Sequence, residues 1–146
     1  MLRGIQHCAL VVSELERSKR FYGEALGLTE IPRPESFKFA GAWFRAGGDE
    51  VHLIVEGDTT MGSGGKPTGA GLGAGLVTHL ALEVDDLSGM LERIGAHGVA
   101  VGSGPMPRGD GVDQAFLLDP DGYVVEVFER TGADQRDAPD RLPVRS

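Results

Sequence analysis

Four polar side chains stand where strand-like runs of this 146-residue chain favour apolar ones: His7, His52, His79 and Glu126. The first and third each open such a run, Gln6-His7-Cys8-Ala9-Leu10-Val11-Val12 and Thr78-His79-Leu80-Ala81-Leu82-Glu83-Val84, ahead of a helix-like pattern. The opening histidines are 79 − 7 = 72 positions apart, and His52 and Glu126, on the runs that close the two halves, are 126 − 52 = 74 apart. Matching spacing says that one supersecondary unit is used twice, with the polar residues in equivalent places. Imidazole nitrogens with one carboxylate suit zinc, nickel, iron(II), cobalt or manganese, and suit calcium or magnesium poorly. The four are candidate ligands of one divalent transition metal per site, provided that both halves turn these residues toward a common cleft.

The elements that must position them can be read in order. Ile5 to Val12 alternates as a strand, with Ile5, His7, Ala9 and Val11 on one face and Gln6, Cys8, Leu10 and Val12 on the other. Ser13-Glu14-Leu15-Glu16 has the form of a capping box. Leu15, Ser18, Tyr22, Ala25 and Leu26 follow as a helix face, and Gly27 stops it. Short strands are expected at Leu28 to Ile31 and Ala42 to Ala46. A further strand, Glu50 to Glu56, puts Glu50, His52, Ile54 and Glu56 on one face. The second half repeats the order. Val77 to Val84 is a strand, and Asp85 or Asp86 caps a helix with Leu87, Met90, Leu91 and Ile94 in its stripe. Gly98 ends the helix, and Val99 to Val101 is a short strand. After a loop at Gly102 to Asp113, Gln114 to Leu118 and Tyr123 to Glu129 form a hairpin around Asp119-Pro120-Asp121-Gly122.

The spacing therefore predicts an α+β domain over 1–130: a module at 4–56, a glycine-rich linker at 57–76 and a module at 77–130. The polar tail at 131–146 is predicted to be disordered. A formal net charge of −8 argues against nucleic acid or an anionic membrane surface as the main partner. No apolar run approaches the roughly 20 residues of a membrane helix. The single cysteine, Cys8, excludes a disulfide framework within the chain and fits a reducing cytoplasm. On composition alone the chain reads as a soluble intracellular domain and nothing more.

The chain resembles the vicinal oxygen chelate superfamily, which includes glyoxalase I, methylmalonyl-CoA epimerase, fosfomycin-resistance and bleomycin-binding proteins and extradiol dioxygenases. The likeness rests on the two histidine runs, on Phe21-Tyr22 ahead of Leu26-Gly27-Leu28, and on Asp119-Pro120-Asp121-Gly122-Tyr123-Val124-Val125-Glu126-Val127. It implies paired βαβββ modules forming a U-shaped cleft around one divalent metal, a small-molecule substrate and a homodimer. It also implies that His7, His79 and Glu126 match ligand positions. His52 falls where glyoxalase I places a glutamate and the epimerase a glutamine. In bacterial glyoxalase I an arginine four places after the first histidine contacts glutathione. Val11 holds that place here, which points away from a glutathione hemithioacetal as substrate.

The activity this implies is a metal-dependent lyase, isomerase or epimerase working through an enolate-like intermediate, with Glu126 or His52 as the base. One alternative is an extradiol-type iron(II) dioxygenase using His7, His79 and Glu126. Another is a non-catalytic antibiotic-binding protein, against which the intact ligand set argues. Phe39, Trp43, Phe44, Met106, Arg108 and Phe116 are candidate substrate contacts. Cys8 reads as a small buried hydrophobe, His97 as an exposed helix-end residue, Glu56 as a solvated strand-end charge, and Glu83 and Glu129 as solvent-side or terminal.

Overall fold

The computed structural model describes residues 1–64 and 75–132. These form two compact units, Met1–Gly64 and one that follows it. Half of the expected linker and nearly all of the expected tail lie outside the described residues.

The first unit runs β1 (His7–Val12), a helix α1 beginning at Leu15–Lys19, β2 (Thr29–Ile31), β3 (Gly41–Ala46) and β4 (Asp49–Val55). Its sheet has the order β1-β4-β3-β2, with β1 and β4 parallel and the other pairs antiparallel. The second runs β5 (His79–Glu83), α2 (Leu87–Ala96), β6 (Val101–Pro107), β7 (Val112–Leu118) and β8 (Val124–Arg130). Its order, β5-β8-β7-β6, repeats the first, again with the outer opening strand parallel to the closing one. The fold is α+β, a βαβββ module used twice.

In each sheet one face packs apolar residues against the module's helix, and the candidate ligands lie on the other, beside Trp43 in the first and the buried Phe116 in the second. Along β1, Leu10 and Val12 are buried while His7 and Ala9 are exposed, the period of two that the sequence shows. Against the packed face lie Phe21, Tyr22, Ala25 and Leu26 of the first helix, together with Ala42, Phe44, Val51 and Leu53. Tyr22 and Phe44 are ring neighbours 6.5 Å apart, and truncating either to alanine is expected to cost about 3–5 kcal/mol. In the second unit Leu87 and Ile94 of α2 are buried, as are Ala115, Phe116, Leu117, Val125 and Val127.

Three local expectations are corrected. The first helix is capped by Glu14, whose carboxylate accepts from the N–H groups of Glu16 and Arg17. Ser13 instead accepts from the Arg17 guanidinium. The helix also widens into a π-helical stretch at Arg20–Ala25 before Gly27 turns it with φ 79°. Most of the supposed loop at 102–113 is strand, because β6 reaches Pro107 and β7 starts at Val112. Gly102-Ser103-Gly104-Pro105 has no apolar alternation to announce a strand; pairing with β7, irregular at two places, supplies the order. In the second unit Asp86 is the cap of α2, accepting from Gly89 N–H. Glu129, expected to be solvent-side or terminal, accepts the Leu87 N–H from β8 at 2.8 Å and so helps to hold that helix start. No helix of the described residues is long and apolar enough to cross a membrane.

Candidate functional site

The repeat brings the four expected ligands together two by two. In the first unit β1 and β4 are parallel neighbours, with Cys8 opposite Val51 and Ala9 opposite His52. The His7 and His52 rings stack at 4.3 Å with an interplanar angle of 11°. On the other side of His52, Trp43 of β3 stacks at 4.0 Å and 3°. The His52 ring is thus held in a sandwich and is 8% exposed.

A carboxylate stands behind this pair. Glu50 Oε2 lies 2.7 Å from His52 Nε2, and His7 Nδ1 lies 2.6 Å from Gln6 Oε1. The Gln6 side chain also hydrogen-bonds Glu50. Hydrogen bonding from His52 holds the Glu50 carboxyl below the usual carboxylate range against the opposing effect of burial, with Gln6 and Arg45 adding to it. Glu50 and Gln6 were not singled out from the sequence. The available signal was period: Glu50 shares the face of β4 that carries His52.

In the second unit His79 Nε2 and Glu126 Oε2 are 3.0 Å apart. Glu126 is 3% exposed, a carboxylate that needs partners at that depth. Its other oxygen accepts from Arg108 Nη1 at 3.2 Å. Arg108 is held in turn by Asp110, which receives Nε at 3.0 Å and Nη2 at 2.9 Å. Asp110, before Glu126, raises the Arg108 pKa. The Phe116 ring meets His79 edge-on at 5.8 Å.

His79 supplies the test of fit for a metal ion. Its Nδ1 is 2.7 Å from the Val77 carbonyl, which can only accept, so Nδ1 carries a proton. In the neutral ring Nε2 is then a lone pair facing the Glu126 carboxylate. Two acceptors at that distance are stable when a proton or a metal ion lies between them. A backbone carbonyl fixing the far nitrogen is also how metal-bound imidazoles are oriented. The donor set therefore fits a divalent ion. Among the described residues, no group of three or more His, Cys, Asp or Glu side chains is placed to hold a metal ion; the four candidates come together as two pairs, one in each unit.

The expected substrate contacts separate. Trp43 and Arg108 lie against ligand candidates as described. Phe39 is 45% exposed beside Phe37, with the Arg33 guanidinium 4.9 Å over its ring. Met106 is half-buried on β6. Phe44 is 1% exposed and points into the core with Tyr22, because neighbours on a strand face opposite ways and Trp43 takes the open side. Phe116 is fully buried, beneath His79. Both act by packing. Cys8 is half-buried on the core face of β1, and burial pushes its thiol pKa up. His97, at the end of α2, hydrogen-bonds through Nδ1 to the Arg93 carbonyl.

The paired βαβββ modules agree with the comparison to known proteins. Residues 4–127 match the Glyoxalase/Bleomycin resistance protein/Dioxygenase superfamily. The chain belongs to that superfamily. It is 31% identical over 131 residues to a lactoylglutathione lyase of Salmonella typhimurium, covering 87% of this chain and 93% of that one. It is 32% identical over 132 residues to a probable chloroplastic lactoylglutathione lyase of Arabidopsis thaliana, covering 88% of this chain and 36% of the relative. The chain spans less than half the length of these plant relatives. Among solved structures, a putative glyoxalase family protein from Bacillus anthracis superposes with a TM-score of 0.70 at 25% identity, over 89% of this chain and 97% of that one. The fosfomycin resistance protein FosX of Listeria monocytogenes shares the fold, with a TM-score of 0.66 at 22% identity over 88% of this chain and 94% of that one.

Proposed function

We propose that the protein is a divalent-metal-dependent lyase or isomerase that moves a proton on a small substrate with two neighbouring oxygens. His7, His52, His79 and Glu126 would hold the metal. A bound divalent cation supplies Lewis-acid stabilisation of negative charge building on a substrate oxygen. The observation that carries the reading is the buried Glu126 carboxylate 3.0 Å from His79 Nε2. Glu126 is the residue that takes the proton from carbon beside the carbonyl and returns it to the neighbouring carbon. Arg108 holds one of its oxygens and leaves the other toward His79. Trp43 fixes the plane of His52.

The names of the relatives, lactoylglutathione lyases, support a lyase. Val11 sits half-buried on the same face of β1 as His7 and brings no cation for a glutathione carboxylate. The reading is therefore of a glyoxalase-type proton shift on a substrate less dependent on glutathione. Two pairs of ligands complete one set within one chain or across a homodimer.

The test is metal analysis of protein purified without a histidine tag. It is followed by turnover assays on α-oxoaldehyde hemithioacetals formed with glutathione or simpler thiols, and on α-hydroxycarbonyl and acyl-thioester compounds. Stoichiometric transition metal and chelator-sensitive turnover are expected. A chain that takes up no metal, or turns over equally well without it, would sink the reading.

A further inference from the structure

The hydrogen bonds behind the first half-site form one continuous chain. His7 Nδ1 meets Gln6 Oε1 at 2.6 Å, Gln6 reaches Glu50, and Glu50 meets His52 Nε2 at 2.7 Å. Each link needs one donor and one acceptor, and only one member has a fixed role. A carboxylate can only accept. If Glu50 accepts from both sides, Gln6 must turn its amide NH₂ toward Glu50 and its carbonyl toward His7. His7 must then carry its proton on Nδ1, and His52 must carry its proton on Nε2.

We infer that Glu50 is a positioning residue which sets the tautomers of both histidines, so that His7 offers Nε2 and His52 offers Nδ1 as donor atoms. The inference deepens the metal reading above and rests on it for its consequence in binding. Two features of the fold support it. His79, the counterpart of His7, has its Nδ1 held by the Val77 carbonyl and its Nε2 turned to the site, so both opening histidines present the same nitrogen. In the second unit Val124 lies opposite His79 as Glu50 lies opposite His7. Glu50 is thus a polar addition to the first half only, and it is the half in which two imidazoles, each with two possible tautomers, stand side by side. The glutamate that glyoxalase I has at the position of His52 needs no such control. An imidazole there does.

The test reads tautomers and metal affinity separately. In the metal-free, ¹⁵N-labelled protein at about pH 8, where an unperturbed imidazole is neutral, long-range ¹H–¹⁵N spectra identify the protonated nitrogen of each ring. Wild type is expected to show Nδ1–H for His7 and Nε2–H for His52. His7 is the diagnostic ring, because a free imidazole favours Nε2–H. Gln6→Ala should return His7 to Nε2–H and leave His52 unchanged. Glu50→Gln, close to isosteric, should mix the tautomers of both rings and lower zinc affinity, measured by competition with a chromogenic chelator, by about 10–100-fold. With His52→Glu in the background, Glu50→Gln should lower zinc affinity far less.

His7 found as Nε2–H in wild type would overturn the assignment, as would a Glu50→Gln protein with unchanged tautomers and unchanged zinc affinity. Wild type that shows the expected tautomers but binds no zinc upholds the Glu50 assignment and sinks the metal-dependent function instead.

Discussion

The two half-sites share a register and differ in where they keep their carboxylate. His7 and His79 open their strands, and two positions on, Ala9 and Ala81 lie opposite His52 and Glu126. An aromatic residue flanks each closing position on the next strand, Trp43 beside His52 and Phe116 beside Glu126. In the second half the carboxylate stands at the ligand position itself, buried and clamped by Arg108. In the first half an imidazole takes that position and the carboxylate, Glu50, stands behind it. Duplication thus preserves geometry while the chemistry of the halves diverges. On the proposed reading the second half would carry the group that accepts a proton from substrate, and the first a stacked pair of imidazoles.

The comparison breaks most sharply at Glu126. Replacing it with glutamine keeps the size and the hydrogen bond to Arg108 but removes the base. A loss of turnover of about 10²–10⁴-fold is expected, with a smaller loss of metal affinity read by chelator competition. Near-normal turnover in Glu126→Gln would pass the role of base to the first half.

Whether the halves work within one chain or between two is tested by mixing. His52→Ala and Glu126→Ala chains, each inactive alone, are refolded together. A site completed across a homodimer regains about a quarter of wild-type activity, since half of the dimers are mixed and each carries one intact site. A site completed within one chain regains none.

Much of this frame is legible in the sequence, for a physical reason. His52 and Glu126 interrupt apolar alternation inside their strands, where burying a polar residue costs enough to be conspicuous, and His7 and His79 stand out by their matching places in the repeat. The helix stripe of Leu87, Met90, Leu91 and Ile94, the Asp86 cap and the turn at Asp119–Gly122 also follow from local chemistry. Glu50 and Gln6 stay hidden because each sits at a strand end, where a polar residue needs no explanation. Arg108 reads as a substrate contact because nothing in the order of residues says that a hairpin brings it to Glu126. Strand β6 is hidden for the opposite reason: its order comes from β7, not from its own glycines and prolines.

Arg108→Met sharpens the contrast from the other side. If Arg108 positions Glu126, the variant loses about tenfold in kcat, as positioning partners of site residues do, while KM changes little. A rise in KM at constant kcat would restore Arg108 to direct substrate contact. The variant leaves the buried carboxylate with His79 alone, so its unfolding midpoint should fall by the equivalent of about 1–3 kcal/mol. Combining it with Glu126→Gln, which removes the charge needing a partner, should recover most of that loss.

The smallest effect belongs to Glu50 and is read in acid. Its folded-state pKa is depressed, first by the hydrogen bond from His52, so the unfolded chain binds a proton there more readily than the folded one. The stability this contributes is present above the unfolded value of about 4.3 and is lost as pH falls through the lower folded value. Glu50→Gln lacks that titration. The wild-type midpoint should therefore exceed that of Glu50→Gln at neutral pH, and the gap should narrow on acidification below about pH 4.5. A gap that stays constant with pH would show that the carboxylate gains nothing from His52 in the folded state. The control of that ring would then lie with Trp43, whose stacking does not titrate.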